Sequence, residues 1–253
     1  KGETWHYRVK AIRADGDSSW SNINSATVQR SRQLPVFNYN VLFINIDDLK
    51  PMIGSFGDTT IKTPKMDQLS ATSLNFTNAH CQQAICTASR ASYLTGLRPD
   101  STRVWDLRTH LRDVIPDVVT IPQHFKENGY RVVSGGKVAH GNTAKLKGQA
   151  DAYQNRPPDV RDKFTDDKAN LWGEGGPHNH EDEKTGDYKV AQWAIEEWKK
   201  GQKTDKPLLM TVGFYRPHRP FNAPKAYFEK FPLEDIQLPL VRTDDLDDLP
   251  PYG

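Results

Sequence analysis

Two apolar runs, VLFINI at 41–46 and PLLMTVGFY at 207–215, constrain the fold of this chain more than any other feature. Each is continuous, without the polar alternation of a half-exposed strand, so each is expected to be a strand buried on both faces. The text between them reads as helices and one further strand. Thr63 with Pro64 behind it marks a helix start. Thr120 and Gln123 form a capping-box pattern in a segment that stops at Gly129. RVVSGGK (131–137) is a short strand. DYKVAQWAIEEWKKG is amphipathic through Val190, Ala194 and Trp198, with Lys199 and Lys200 before Gly201. Strands alternating with helices predict an α/β fold, a mostly parallel sheet sandwiched by helices. Ligands in such sheets sit beyond the carboxyl ends of the strands.

Composition narrows the function. The 253 residues carry 34 basic and 32 acidic side chains, interspersed, so no basic face for nucleic acid is expected. Cys81 and Cys86 are too few for a disulfide framework and lack zinc-type spacing. No apolar run reaches membrane-spanning length. Residues 1–30 alternate through Trp5, Tyr7, Val9 and Ala11, turn at ADGDSS and alternate again, which reads as a β-hairpin. Residues 31–38 read as a linker. The histidine-bearing GGPHNHEDE (175–183) has the composition of a solvated loop, with transition-metal binding by His178 and His180 as its other reading.

Four clusters stand at the ends of the expected elements. Asp47 and Asp48 close the first strand, Cys86 and Arg90 open a helix, Lys137 and His140 follow the VVSGG strand, and His218 follows TVGFYRP. Singly, each has a plain explanation: a turn, a cap, a surface lysine, a small buried thiol. Together they are an oxyanion-ester kit. Adjacent carboxylates suit calcium or magnesium. Arg90 lies one helical turn beyond Cys86. A helix N-terminus, a lysine and a metal all favour an anion at one point. Two histidines exchange protons with the reacting group.

The stretch Cys86-Thr87-Ala88-Ser89-Arg90, followed four residues later by Thr95-Gly96, resembles the type I sulfatase signature. The segments NVLFINIDDLKPMIGSFGD, TIPQHFKENGYRVVSGGKVAHG, VGFYRPHRPF and FPLEDIQLP follow the iduronate-2-sulfatase-like branch in order, over residues 39–253 with a divergent stretch near 144–186. Ala88 stands where most members carry proline.

The resemblance implies an alkaline-phosphatase/sulfatase-like fold. It also implies oxidation of Cys86 to Cα-formylglycine by a formylglycine-generating or anaerobic sulfatase-maturating enzyme. Asp47, Asp48 and an oxygen of residue 86 would bind Ca²⁺, and Arg90 and Lys137 would hold the nucleophile and the sulfate. His218 would protonate the leaving oxygen, and His140 would remove the proton whose loss expels sulfate. The implied substrate is a sulfated carbohydrate, such as a glycosaminoglycan, and the implied location is secreted or periplasmic. Cys81, with no Ser-Arg behind it, is expected to stay a thiol.

Residues 39–253 end before the family's later Asp-His or Asp-Asn metal pair and second lysine, so they are expected to be the N-terminal part of a catalytic domain, truncated before its C-terminal half. Residues 1–30 resemble the last hairpin of a fibronectin type III domain. Two other functions stay open: a phosphoester or phosphonate-ester hydrolase of the same superfamily, and an inactive chain lacking the downstream metal ligands.

Overall fold

A computed structural model of the chain describes residues 3–7, 24–28, 39–141, 148–154, 175–238, 241–245 and 247. The chain divides into two units, 1–39 and 40–253. In the first, β1 (Glu3–Tyr7) and β2 (Asn24–Val28) pair antiparallel with Trp5 opposite Ala26. The ADGDSS turn, Val9, Ala11, the 31–38 linker and most of the divergent 144–186 stretch lie outside the described residues.

The second unit is built on a four-stranded, all-parallel sheet in the order β3 (Val41–Ile46), β7 (Leu208–Phe214), β4 (Arg131–Gly136), β5 (Ala152–Gln154). Parallel neighbours demand crossovers, and the helices supply them. One face of the sheet receives α6 (Gly186–Gly201): Val190 and Ala194 pack with Val133, Leu208, Met210 and Val212, flanked by Trp193 and Trp198. The opposite face carries Ser134 and Thr211, hydrogen-bonded at 2.9 Å. Leu94 of α2 (Cys86–Thr95) and Pro122 of α5 (Ile121–Glu127) close over Ser134 there.

The expected strand and helices are present, with local differences. Thr63 begins α1 (Pro64–Ser70), but its hydroxyl does not cap that helix. It accepts from the Gly54 N–H at 2.9 Å and donates to Asp67 at 3.0 Å, tying α1 to the preceding 3-10 turn. The Thr120 hydroxyl caps α5 through the Gln123 N–H, whereas the Gln123 side chain bonds Arg112 (3.0 Å) and Glu127 (3.1 Å) instead of closing the box. Gly129 ends that helix at φ 88°.

Two expectations are corrected. β3 is not buried on both faces among the described residues: it pairs only with β7, and Leu42 and Ile44 are about half exposed. An apolar run records that both faces avoid water, not which element covers each. GGPH is not a solvated loop. Gly175–His178 forms β6, paired in parallel with β8 (Phe221–Pro224), and His178 is buried. Gly175 and Gly176, at φ 95° and 149°, let that backbone close on Phe221, a pairing that composition does not encode.

Candidate active site

The parallel strands β3, β4 and β7 all deliver their carboxyl ends to one rim. Asp47 and Asp48 leave β3 there, Lys137 to His140 leave β4, and Tyr215 to His218 leave β7. At that rim β4 and β7 come unusually close. Gly136 (φ 74°) faces Gly213, and a Cβ on Gly213 would fall inside the backbone of Lys137. The paired glycines allow the Lys137 N–H to donate to the Gly213 carbonyl at 2.8 Å, which fixes where the lysine starts.

The buried Asp47 carboxylate organises the cluster. Its Oδ1 accepts from Nη2 of Arg90 at 2.8 Å, and its Oδ2 pairs with Nζ of Lys137. Burial alone would raise its pKa, but the hydrogen bonds and charges of Lys137 and Arg90 outweigh this and hold it below the usual carboxylate value. Arg90 reaches inward from the second turn of α2. Its Nη1 donates to the Lys137 carbonyl, to the Val138 carbonyl at 3.2 Å and to the Tyr93 hydroxyl at 3.2 Å. Burial pushes Tyr93 up to about 12, so it stays a neutral phenol and donates to the Val138 carbonyl.

Cys86 is the first residue of α2, and its Sγ lies 3.3 Å from Nδ1 of His140. Burial, helped by the positive charges of Lys137 and Arg90, lowers the pKa of His140 below the usual histidine value, so the ring is neutral and able to accept a proton at pH 7. His218 Nε2 stands 3.9 Å from a carboxylate oxygen of Asp47 and 3.9 Å from one of Asp48, within ion-pair range but too long for a hydrogen bond. All seven residues singled out in the sequence therefore gather at one rim. Arg90, Lys137 and the N-terminus of α2 thus bring positive charge to a rim that also carries the carboxylates of Asp47 and Asp48.

Asp48 follows the strand in the left-handed region (φ 56°), a conformation aspartate tolerates, and its carboxylate is exposed beside that of Asp47. By chemistry the two carboxylates fit a hard divalent cation. They are too few to hold calcium alone, which takes about six to eight oxygens. Among the described residues no third acidic, histidine or cysteine side chain completes a metal cluster, and His178 with His180 does not form one either.

Sequence reasoning missed Tyr215, whose ring lies 4.5 Å from Lys137 Nζ and 4.6 Å from the His218 ring. An aromatic residue directly before Arg-Pro-His was the available signal. It missed Tyr93 as well, one turn beyond Arg90.

A family model described as Sulfatase matches residues 39–240. Human "Iduronate 2-sulfatase" is 36% identical over 212 residues, covering 79% of this chain and 38% of that protein. A "Sulfatase" of Formosa agariphila is 33% identical over 236 residues, covering 85% of this chain and 46% of that protein. The chain spans less than half the length of these curated relatives. Among solved structures, that of Ps i-CgsB with k-i-k-neocarrahexaose has a TM-score of 0.59 at 21% identity, covering 77% of this chain and 48% of that one. The phosphonate monoester hydrolase of Agrobacterium radiobacter has a TM-score of 0.55 at 20% identity, covering 76% and 44%. These two likenesses concern the fold.

Proposed function

Since this chain belongs to the sulfatase family, we propose that its rim forms the nucleophile side of a site that hydrolyses sulfate esters of a carbohydrate. What carries the proposal is one arrangement: Cys86 at a helix N-terminus, 3.3 Å from a histidine whose pKa is lowered, in a cluster where Arg90 and Lys137 share one buried aspartate.

If Cys86 is converted to Cα-formylglycine and hydrated, with Asp47 and Asp48 among the ligands of a calcium ion, the diol would supply one hydroxyl acidic enough to attack sulfur and a second through which sulfate could be released. The chain's own residues do the rest. Arg90 and Lys137 place positive charge where the sulfuryl oxygens gather negative charge, and Asp47 keeps both cations in position. His218 presents Nε2 at the open side of the cluster and donates a proton to the departing alcohol oxygen. His140, neutral at pH 7, accepts a proton at Nδ1 from the side chain at position 86. His218 gives one proton to the alcohol and His140 takes one from the second hydroxyl; the proton of the attacking hydroxyl passes to solvent, and exchange with solvent restores both rings before the next cycle.

The sulfated carbohydrate, an exported location and a maturating enzyme acting on Cys86 belong to this proposal. Identity to named sulfatases at 33–36% favours sulfate over phosphonate esters. The test is co-expression of the full-length protein with a formylglycine-generating enzyme, mass spectrometry of the Cys86 peptide, and comparison of aryl sulfate with aryl phosphate. Loss of the thiol mass with sulfate release is expected. An unmodified cysteine in a protein that turns over, or preferential phosphate release, overturns the proposal.

A further inference from the structure

His218 belongs to a turn held from outside. Beyond β7, the Tyr215 N–H donates to both carboxylate oxygens of Asp187, at 2.9 and 3.0 Å, and the Arg216 N–H donates to Oδ2 at 2.8 Å. Asp187 lies two residues past Thr185, the N-cap of α6, whose hydroxyl accepts from the Tyr188 N–H. An acid at that position normally complements the helix dipole. Here its carboxylate also takes two backbone donors from a segment 28 and 29 residues further along.

The turn is braced internally as well. The His218 N–H donates to the Tyr215 carbonyl at 3.0 Å. Arg216 Nη1 donates to the His218 carbonyl at 2.7 Å and to the Pro220 carbonyl. His218 Nδ1 lies 2.5 Å from the Arg219 carbonyl, which can only accept. Nδ1 therefore carries the hydrogen of that bond, and Nε2 is the nitrogen that faces Asp47 and Asp48. The Tyr215 ring, leaving the same anchored backbone, lies between Lys137 and His218.

We propose that Asp187 is a positioning residue for His218: from the head of α6 it fixes the Tyr215–His218 turn, and so sets where Nε2 meets the leaving oxygen. Bonds from backbone N–H groups to a carboxylate are charge-assisted and stronger than neutral ones. Proton transfer demands placement within about 3 Å. The kinetic half of this inference rests on the proposed sulfate-ester chemistry; the structural half does not.

The test uses the full-length, formylglycine-bearing protein with Asp187→Ala, Asp187→Asn, His218→Ala and the Asp187→Ala/His218→Ala pair. Two esters are compared, an aryl sulfate with an acidic leaving phenol and an alkyl sulfate. Amide exchange at Tyr215 and Arg216 is followed alongside. Asp187→Ala is expected to lower kcat on the alkyl sulfate roughly 30-fold and on the aryl sulfate less than about threefold, with KM little changed, because only the poor leaving group needs the proton. Asp187→Asn, which keeps one accepting oxygen, falls between. In the His218→Ala background Asp187→Ala costs little more. Exchange quickens at Tyr215 and Arg216 while Leu208–Val212 keeps its protection. Equal losses on both esters, multiplying losses in the double variant, or unchanged exchange overturns the inference. If the parent protein releases no sulfate, the sulfate-ester proposal fails, and the exchange measurement alone decides whether Asp187 holds the turn.

Discussion

The proposed mechanism gives Cys86 and Asp47 separable tasks, and substitutions can tell them apart. Cys86→Ser keeps a nucleophile but loses the second hydroxyl that releases sulfate, so it is expected to take up one sulfuryl group and stall. Intact-mass spectrometry after incubation with an aryl sulfate reads this directly, and repeated turnover contradicts it. Asp47→Ala strips Arg90 and Lys137 of their shared counter-charge. It is expected to cost about 3–5 kcal/mol of stability, the range for breaking a buried ion pair, and to abolish calcium binding in titration calorimetry. Retained calcium affinity would remove Asp47 from the metal site. These two residues were legible in the sequence because their chemistry depends on spacing: Cys86 on Ser89-Arg90, Asp47 on its neighbour Asp48. Asp187 was not, since its partners lie 28 and 29 residues away and no local pattern encodes such a meeting; Tyr215 had a local signal in its place before Arg-Pro-His, but its approach to Lys137 did not.

At the scale of elements, the site depends on how closely β4 and β7 approach and on how firmly α6 seats. Gly213→Ala would drive a methyl group into the backbone of Lys137. The expected result is a loss of more than about 3 kcal/mol in urea unfolding, or a displaced Lys137 with catalysis lost at near-parent stability; unchanged stability and activity together would contradict the packing. On α6, the buried Glu197 accepts from Arg131 at 2.5 Å and from Lys200 at 2.6 Å, linking the helix to the start of β4. Burial would raise the pKa of Glu197, but these partners outweigh it and leave it lowered from its ordinary 4.5. A lowered carboxyl stabilises the fold fully above its unfolded pKa and loses that contribution as pH falls through the folded value. Glu197→Gln is therefore expected to cost about 1–2 kcal/mol near neutral pH, with the gap closing below pH 4.5; a constant gap across pH contradicts this. Helix starts and strand cores were readable from caps and apolar runs. Cap partners were not: Thr63 bonds Gly54 and Asp67, and Gln123 bonds Arg112 and Glu127.

For the molecule as a whole, the division at residue 39 separates an antiparallel pair from the parallel α/β unit. We propose that residues 31–38 are a linker. Limited proteolysis is then expected to cut there first and to leave a fragment beginning near Asn40 with an unchanged melting temperature; a lowered one would mean that the two units stabilise each other. The half-exposed Leu42 and Ile44 mark the limit of legibility at this scale: the run VLFINI specified a strand, but not its place at the edge of the sheet among the described residues. By itself the sequence determined the parallel α/β class, the Cys-Thr-Ala-Ser-Arg motif and the set of charged residues, because periodicity, capping and fixed spacing are local and survive in one dimension. Only the tertiary structure decided that Asp47 is shared by Arg90 and Lys137, that Asp187 holds the turn carrying His218, and that GGPH pairs as a strand. Those outcomes depend on distances between segments, and these are set by how strands align and how closely glycine-lined backbones can pack.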